Sequence, residues 1–350
     1  MHRILTRAFV LHFLFNVAAG QFVGTGCAGQ DQAAGDEGKR WTRIEEIGRY
    51  AWQGEVLEPE NLSGLAFLSD RLGLVGADEM RAVQVVEILR QDRTLRVRET
   101  IPLVRGGSEI DIEAIAAEGG SYYITGSHGA SKKKGERQDN RLSIFRLKVD
   151  PATGRPSGWQ AGSARAPSGL QTSSLAGVIR ADPVLGEHFE QPLQQKGINI
   201  EGLAARHGQL FVGFRNPNLG GYAFVMEIRA DDVFSGTPRP PYTLHKLRLG
   251  EGLGIREIVA AQSCFLIIAG NAGSEPSKKY AATEDYEEER GFFLFTWDGK
   301  GTDVHKIGPL PEVNGKAEAM AILAETKDSA TVLVLFDGPR GGRPTVLRLF

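Results

Sequence analysis

The 350 residues carry 41 Lys and Arg against 43 Asp and Glu, a formal net charge of −2, so the chain has no basic footprint for nucleic acid. Its length suits one large β domain or two ordinary ones. Two cysteines exclude a disulfide scaffold, because Cys27 lies in a leader-like segment and Cys264 sits in the apolar run 264–269, where it reads as a buried thiol.

Arg3 and Arg7 precede the apolar stretch 8–19, which has the length and flanks of a secretory signal rather than of a spanning helix. Export is therefore predicted, to the periplasm or to an outer-membrane anchor. Two processing routes compete: cleavage near Ala18-Ala19-Gly20, or cleavage before Cys27 with lipid attached to that cysteine. Thr25 and Gly26 suit the second route, whereas Gly24 stands where a lipobox carries an aliphatic residue. Residues 1–26 are read as signal peptide, 27–40 as a flexible tether and 41–350 as one domain.

A short phrase then recurs: Asn61-Leu-Ser63-Gly-Leu-Ala66, Asp111-Ile-Glu113-Ala-Ile-Ala116, Asn199-Ile-Glu201-Gly-Leu-Ala204, Ile255-Arg256-Glu257-Ile-Val-Ala260 and Lys316-Ala-Glu318-Ala-Met-Ala321. Most copies are followed by a second apolar run, the mark of stacked supersecondary units. The third copy shows the unit best, with strands predicted at 202–205, 210–214, 223–228 and 242–248. Four antiparallel strands between Gly, Pro and Asp turns make a propeller blade. The first copy continues at 72–75, 82–88 and 95–98. The second continues at 122–125 and 142–147, with a turn at 150–154 and a fourth strand near Trp159. The fourth continues at 264–269, 292–297 and 304–307.

The fifth copy has runs at 331–336 and 345–350 and then the chain ends, so 42–49 is predicted to pair outside 345–350 and close the ring. The gap after the second copy lacks paired β-branched runs and reads as one or two short helices, capped by Ser173 or Ser174. The fold class is thus all-β, a five-bladed β-propeller with a helical insertion between the second and third blades, six blades being the alternative.

First strands line a propeller's channel, so the repeat predicts an axial acidic ring of Glu113, Glu201, Glu257 and Glu318, with Ser63 in the first copy. Asp111, Asn199 and Lys316 lie two residues earlier on the same face. Crowded carboxylates require a cation, basic partners, retained protons or backbone donors. In the plainest account they accept backbone hydrogen bonds and lock neighbouring blades. The loops after the second strands add Asp78, His128, Arg215, Asn216, Asn271 and Asp337. His128, Arg215, Asn216, Arg256, Lys316 and Asp337 form the candidate ligand-binding set, on the expectation that Arg and His would hold a phosphate or carboxylate. Lys132-Lys133-Lys134 reads as a solvated loop, and so does the acidic run 284–289, with calcium its other reading. Gly250-Glu-Gly252-Leu-Gly254 has no following helix and is no dinucleotide loop. No zinc, nucleophile-elbow or Walker motif is present.

Taken together, Asp111 to Ala116 with Ser127-His128, Gly197 to Ala204 with Val212-Gly-Phe-Arg215-Asn-Pro217, Gly254-Ile-Arg-Glu257 and Lys316-Ala-Glu318 with Asp337-Gly-Pro339 resemble the bacterial family catalogued as domain of unknown function 3616. The resemblance runs from Asn61 to the C-terminus and implies one propeller-like domain. It marks His128, Arg215, Arg256, Glu257, Lys316 and Glu318 as matching the family's pattern without giving any of them a role. A looser similarity links the Glu-Gly-Leu-Ala phrase to phytase-like esterase propellers, which need a dense acidic calcium site. The leading expectation is a binding or scaffold module with a small polar or anionic ligand, or a protein partner, at the axial end. A metal-dependent phosphoester hydrolase is the runner-up, with a divalent cation such as calcium as its cofactor. Membrane contact is expected only through the lipid anchor.

Overall fold

The computed structural model describes residues 41–350 except 132–134 and 151–154. The signal peptide, Cys27, the tether, Lys132 to Lys134 and most of the turn at 150–154 lie outside the described residues. Among those described, no helix is long and apolar enough to cross a membrane.

The chain opens with β1 (Ile44–Arg49) and β2 (Ala51–Gln53). Blade one follows as β3 (Leu62–Phe67), β4 (Leu72–Ala77), β5 (Ala82–Leu89) and β6 (Thr94–Pro102), with β2 added in parallel outside β6. Blade two is β7 (Ile112–Glu118), β8 (Ser121–Gly126), β9 (Ile144–Lys148) and β10 (Leu170–Ser173). Its fourth strand is therefore not near Trp159, whose indole leaves the sheet to donate to Glu99. Blade three is β11 (Asn199–Arg206), β12 (Gln209–Leu219), β13 (Tyr222–Arg229) and β14 (Tyr242–Arg248). Blade four is β15 (Leu253–Ala260), β16 (Phe265–Asn271), β17 (Phe293–Trp297) and β18 (His305–Pro309). Blade five holds β19 (Lys316–Glu325), β20 (Ala330–Asp337) and β21 (Thr345–Leu349), and β1 pairs antiparallel outside β21 as its fourth strand. The N-terminal strand thus covers the edge that the C-terminal strand would expose.

Each first strand carries a bulge at a corresponding place. The register skips Ser63, Glu113, Glu201, Arg256 and Glu318, so each of these is an extra residue against its partner strand. The bulge explains an otherwise odd spacing. Leu62 and Leu65, Ile112 and Ile115, Ile200 and Leu203, Ile255 and Ile258, and Ala317 and Met320 are all buried at a separation of three, which would send them to opposite faces of a regular strand. One inserted residue returns both to the same face, between blades. Small residues beside the bulge let the blades close: a Cβ on Gly64 would sit 2.8 Å from Ile115 of the next blade.

The insertion after blade two is helical, with α1 (Ala176–Ala181) and α2 (Gly186–Phe189). Leu175 is the cap residue of α1, not either serine. Ser174 Oγ accepts from Ala176 N–H, and Ser173 ends β10 and donates to the Val233 carbonyl. Leu185 and Phe189 are fully buried against blades two and three. A further short helix, α3 (Ala230–Phe234), links β13 to β14 and was not legible in the repeat.

Leu347 lies in β21, fully buried and paired on one side with β1. We expect Leu347→Ala to lower unfolding free energy by about 2–5 kcal/mol, read from the midpoint of denaturant unfolding.

Candidate axial site

The five bulges fall at one end of the channel, where the second strands finish. There a cavity of about 410 Å³ is lined by Glu113, Glu201 and Glu318 from the bulges, by Asp111, Asn199 and Lys316 just before them, and by Asp78, Arg215 and Asp337 at the ends of second strands. Carboxylates outnumber cationic side chains in this lining nine to three. The opposite end of the channel is apolar, walled by residues such as Leu65, Ile115, Leu203, Val259 and Met320.

The fourth blade breaks the pattern. Glu257 was expected in the ring, but the bulge there is Arg256. The phrase in this copy is displaced by one residue, so that Gly254-Ile-Arg-Glu-Ile-Val259 is the true counterpart of Asn199-Ile-Glu-Gly-Leu-Ala204; the buried Ile255 and Ile258 fix that alignment. Gly254 takes the place of Asn199 because a Cβ there would meet the Arg215 carbonyl oxygen at 1.9 Å. That close approach brings Arg215 and Arg256 to the same carboxylate.

Glu201 is their meeting point. Its Oε1 lies 2.7 Å from Arg215 Nη1 and accepts from Asn199 Nδ2 at 2.7 Å, while its Oε2 lies 2.7 Å from Arg256 Nη1. The other arm of Arg256 holds Glu318 Oε1. Arg256 is 3% exposed, and although burial works against its charge, Glu201 and Glu318 outweigh that and raise its pKa. Arg215 Nη2 donates to Ser274 Oγ at 2.9 Å. Other ring members are offset less completely. Arg141 binds Asp111 and Glu109, each at 2.8 Å, and Lys316 Nζ reaches Asp337 at 3.1 Å. Burial, then the charges of Glu201, Asp111, Glu318 and Asp78, hold Glu113 well above the usual carboxylate range. Burial pushes Asp78 up to about 8, helped by Glu318, Asp111 and Asp337. Burial likewise raises Glu318 to about 7 against the pull of Arg256.

Glu257 and Ser63 act between blades. Glu257 Oε1 accepts from Ile258 N–H at 2.8 Å and from Leu203 N–H of the preceding blade at 3.4 Å, and its burial raises its pKa well above the ordinary value. The Ser63 hydroxyl donates to the Ile112 carbonyl of the next blade. The expectation of backbone-locking carboxylates therefore describes Glu257, while Glu201 and Glu318 are held by guanidinium groups.

His128 and Asn216 do not line the cavity. His128 is fully buried; Nδ1 donates to the Gly126 carbonyl at 3.1 Å and Nε2 accepts from Leu175 N–H at 3.1 Å, and burial lowers its pKa to about 4. A neutral ring with both nitrogens engaged cannot serve an anion. Asn216 Nδ2 donates to the Leu193 carbonyl. Both residues pin the helical insertion, whose Leu193 forms part of the cavity wall. Arg141, in a short 3-10 helix (Asp139–Leu142), and Glu109, Glu136 and Ser274, in loops, were missed because all four lie outside the repeat. Among the described residues no three His, Cys, Asp or Glu side chains are arranged to hold a metal ion. Arg256 itself occupies the ring position where a calcium site would want a further carboxylate.

Two expectations follow. Arg256→Met leaves Glu318 buried without its cation and should cost about 3–5 kcal/mol, and adding Glu318→Gln should recover part of that loss in chemical denaturation. In pH titration of the melting temperature, Asp78 and Glu318 keep protons in the native state that the unfolded chain has lost, so stability should fall from pH 6.5 to 8. Asp78→Asn should flatten that slope. His128 contributes with the opposite sign and at lower pH, since its depressed pKa of about 4 makes stability fall as pH drops below 6.5.

The family described as "Protein of unknown function (DUF3616)" matches residues 61–150 and 149–346. No curated protein matches the sequence. Among solved structures, streptogramin B lyase is 9% identical with a TM-score of 0.37, over 88% of this chain and 98% of that one. A catalytically inactive virginiamycin B lyase from Staphylococcus aureus, solved with quinupristin, is 9% identical with a TM-score of 0.39, over 88% and 99%. An exo-beta-1,3-galactanase from Phanerochaete chrysosporium is 7% identical with a TM-score of 0.47, over 87% of this chain and 64% of that one. Likenesses this distant have no bearing on the chemistry of the site.

Proposed function

We propose that this chain, which belongs to the DUF3616 family of proteins of unknown function, is an exported binding module whose axial mouth takes a small ligand presenting cationic or hydroxyl donors. Support for export is the leader at residues 1–26. The observation that carries the binding reading is the excess of carboxylates in the mouth, nine against three cationic side chains that are each already paired. Carboxylates only accept hydrogen bonds when ionised, so their natural complement is a donor. The anionic ligand suggested by the sequence loses its three main contacts: Arg215 and Arg256 are committed to Glu201 and Glu318, and His128 faces the backbone. A phosphoester would also bring charged oxygens against this excess, which disfavours hydrolysis of such a substrate.

Calorimetric titration with spermidine, calcium, neutral polyols and inorganic phosphate tests it. At pH 9, where Asp78 has given up its proton, a cation or polyol should bind, and Asp78→Asn with Asp111→Asn should weaken that binding about tenfold or more, the scale of a charge-assisted contact. Phosphate binding that depends on Arg215 would overturn the proposal.

A further inference from the structure

Glu87, in β5 of blade one, is 2% exposed and meets three guanidinium groups. Its Oε1 accepts from Arg71 Nε at 2.6 Å and lies 2.5 Å from Arg71 Nη2, while its Oε2 lies 3.4 Å from the Nη1 atoms of both Arg96 and Arg98. The hydrogen bond from Arg71 holds Glu87 below the usual carboxylate range, so the carboxyl is ionised and two of the three guanidinium charges are left unmatched. Flanking charges cancel in pairs, Glu99 with Arg155 at 3.5 Å and Asp70 with Arg90 at 3.9 Å. Arg71 precedes β4 and Asp78 follows it, so the group stands at the opposite end of blade one from the axial mouth.

The carboxylate lies beneath, and the guanidinium groups face solvent. Side-chain exposure is 75% for Arg71, 50% for Arg98 and 36% for Arg96, so their donors can be reached. Arg71 alone satisfies Oε1 with two nitrogens. Contacts of 3.4 Å are longer than the roughly 2.7–2.9 Å of a close charge-assisted hydrogen bond, so Arg96 and Arg98 are held loosely and add little stability at such exposure. Arg98 reaches this place through a bulge: the register passes from Val86 opposite Val97 to Val85 opposite Glu99 and leaves Arg98 as an extra residue in β6. Bulges re-aim side chains, and this one brings in a further cation against the repulsion of two others. Arg96 is aimed by Gln53 of β2, whose Oε1 accepts from its Nε at 2.7 Å.

Three accessible guanidinium groups with two charges unmatched call for an anion. A phosphate monoester carries about 1.5–2 negative charges near neutral pH and three acceptor oxygens, whereas a carboxylate brings one charge and two oxygens. Guanidinium forks also match phosphate oxygens in pairs. We infer that this end of blade one, at Arg71, Arg96 and Arg98, binds a terminal phosphate group, carried either by free phosphate or by the monoester headgroup of a lipid. The site is separate from the mouth and does not rest on the reading given to it.

The test is calorimetric titration of the full-length chain at low ionic strength with inorganic phosphate, and with acetate as the singly charged comparison. Phosphate should bind more tightly than acetate. Its affinity should fall about tenfold in Arg71→Gln and in Arg98→Gln and stay unchanged in Arg239→Gln, an exposed arginine of blade three. Either of the first two variants leaves Glu87 two cations, so the fold is kept, and the melting temperature checks this. Cosedimentation with phosphatidylcholine vesicles, with and without phosphatidic acid, separates the two sources. Vesicle binding that requires phosphatidic acid and is lost in both variants assigns the phosphate to a lipid; phosphate binding with no such preference assigns it to a free anion. A chain that binds neither probe overturns the inference. So does binding that acetate matches, that Arg239→Gln weakens equally, or that is indifferent to Arg71 and Arg98. Phosphate binding that depends on Arg215 instead overturns the reading of the mouth as well.

Discussion

The bidentate reach of Arg256 is the interaction on which the axial end depends. One planar guanidinium spans Glu201 of blade three and Glu318 of blade five from its own place in blade four, so three first strands are held by a single cation. Arg suits this task because its donors sit in a rigid fork and its charge persists when buried, neither of which a lysine would offer. Replacing the expected glutamate at this bulge removes one negative charge from a crowded ring and adds a positive one, a change of two units where repulsion would be greatest. Buried ion pairs seldom add much net stability over apolar packing. Their contribution here is geometric, because they set where the remaining carboxylates stand.

The blades were legible because their physics is local. Runs of β-branched and apolar residues between Gly, Pro and Asp turns mark strands with little help from tertiary context, and the unpartnered run at 42–49 had one obvious place to go. The ring residues were legible for four blades out of five. In the fourth, two charged residues stand side by side, and the eye aligns Glu257 with the other glutamates. The apolar positions were the better guide, since burial of Ile255 and Ile258 decides the register while a polar residue in a bulge tolerates exchange. His128 and Asn216 illustrate the opposite failure. Residue type suggested ligands, but both are buried among backbone groups, and the insertion that engages them carries no repeat from which its position could be read.

The mouth gathers hydrogen-bond acceptors about the axis, nine carboxyl groups in its lining. Retained protons on Asp78 and Glu318 relieve part of the repulsion. A protonated carboxyl donates as well as accepts. The same side chains therefore present a different set of donors in acid than in weak base, and the polarity of the mouth is a property of its surroundings as much as of its sequence.

The pairing of β1 with β21 joins residues 44–49 to residues 345–349. That contact is among the longest in sequence that the fold contains, and it cannot form until the final strand of the chain is available. A ring of this kind is assembled blade by blade but sealed only once, at the end. During synthesis the first strand lacks this partner until the last strand has been made. Over that interval the early segment is an open edge, able to pair with any other strand that meets it.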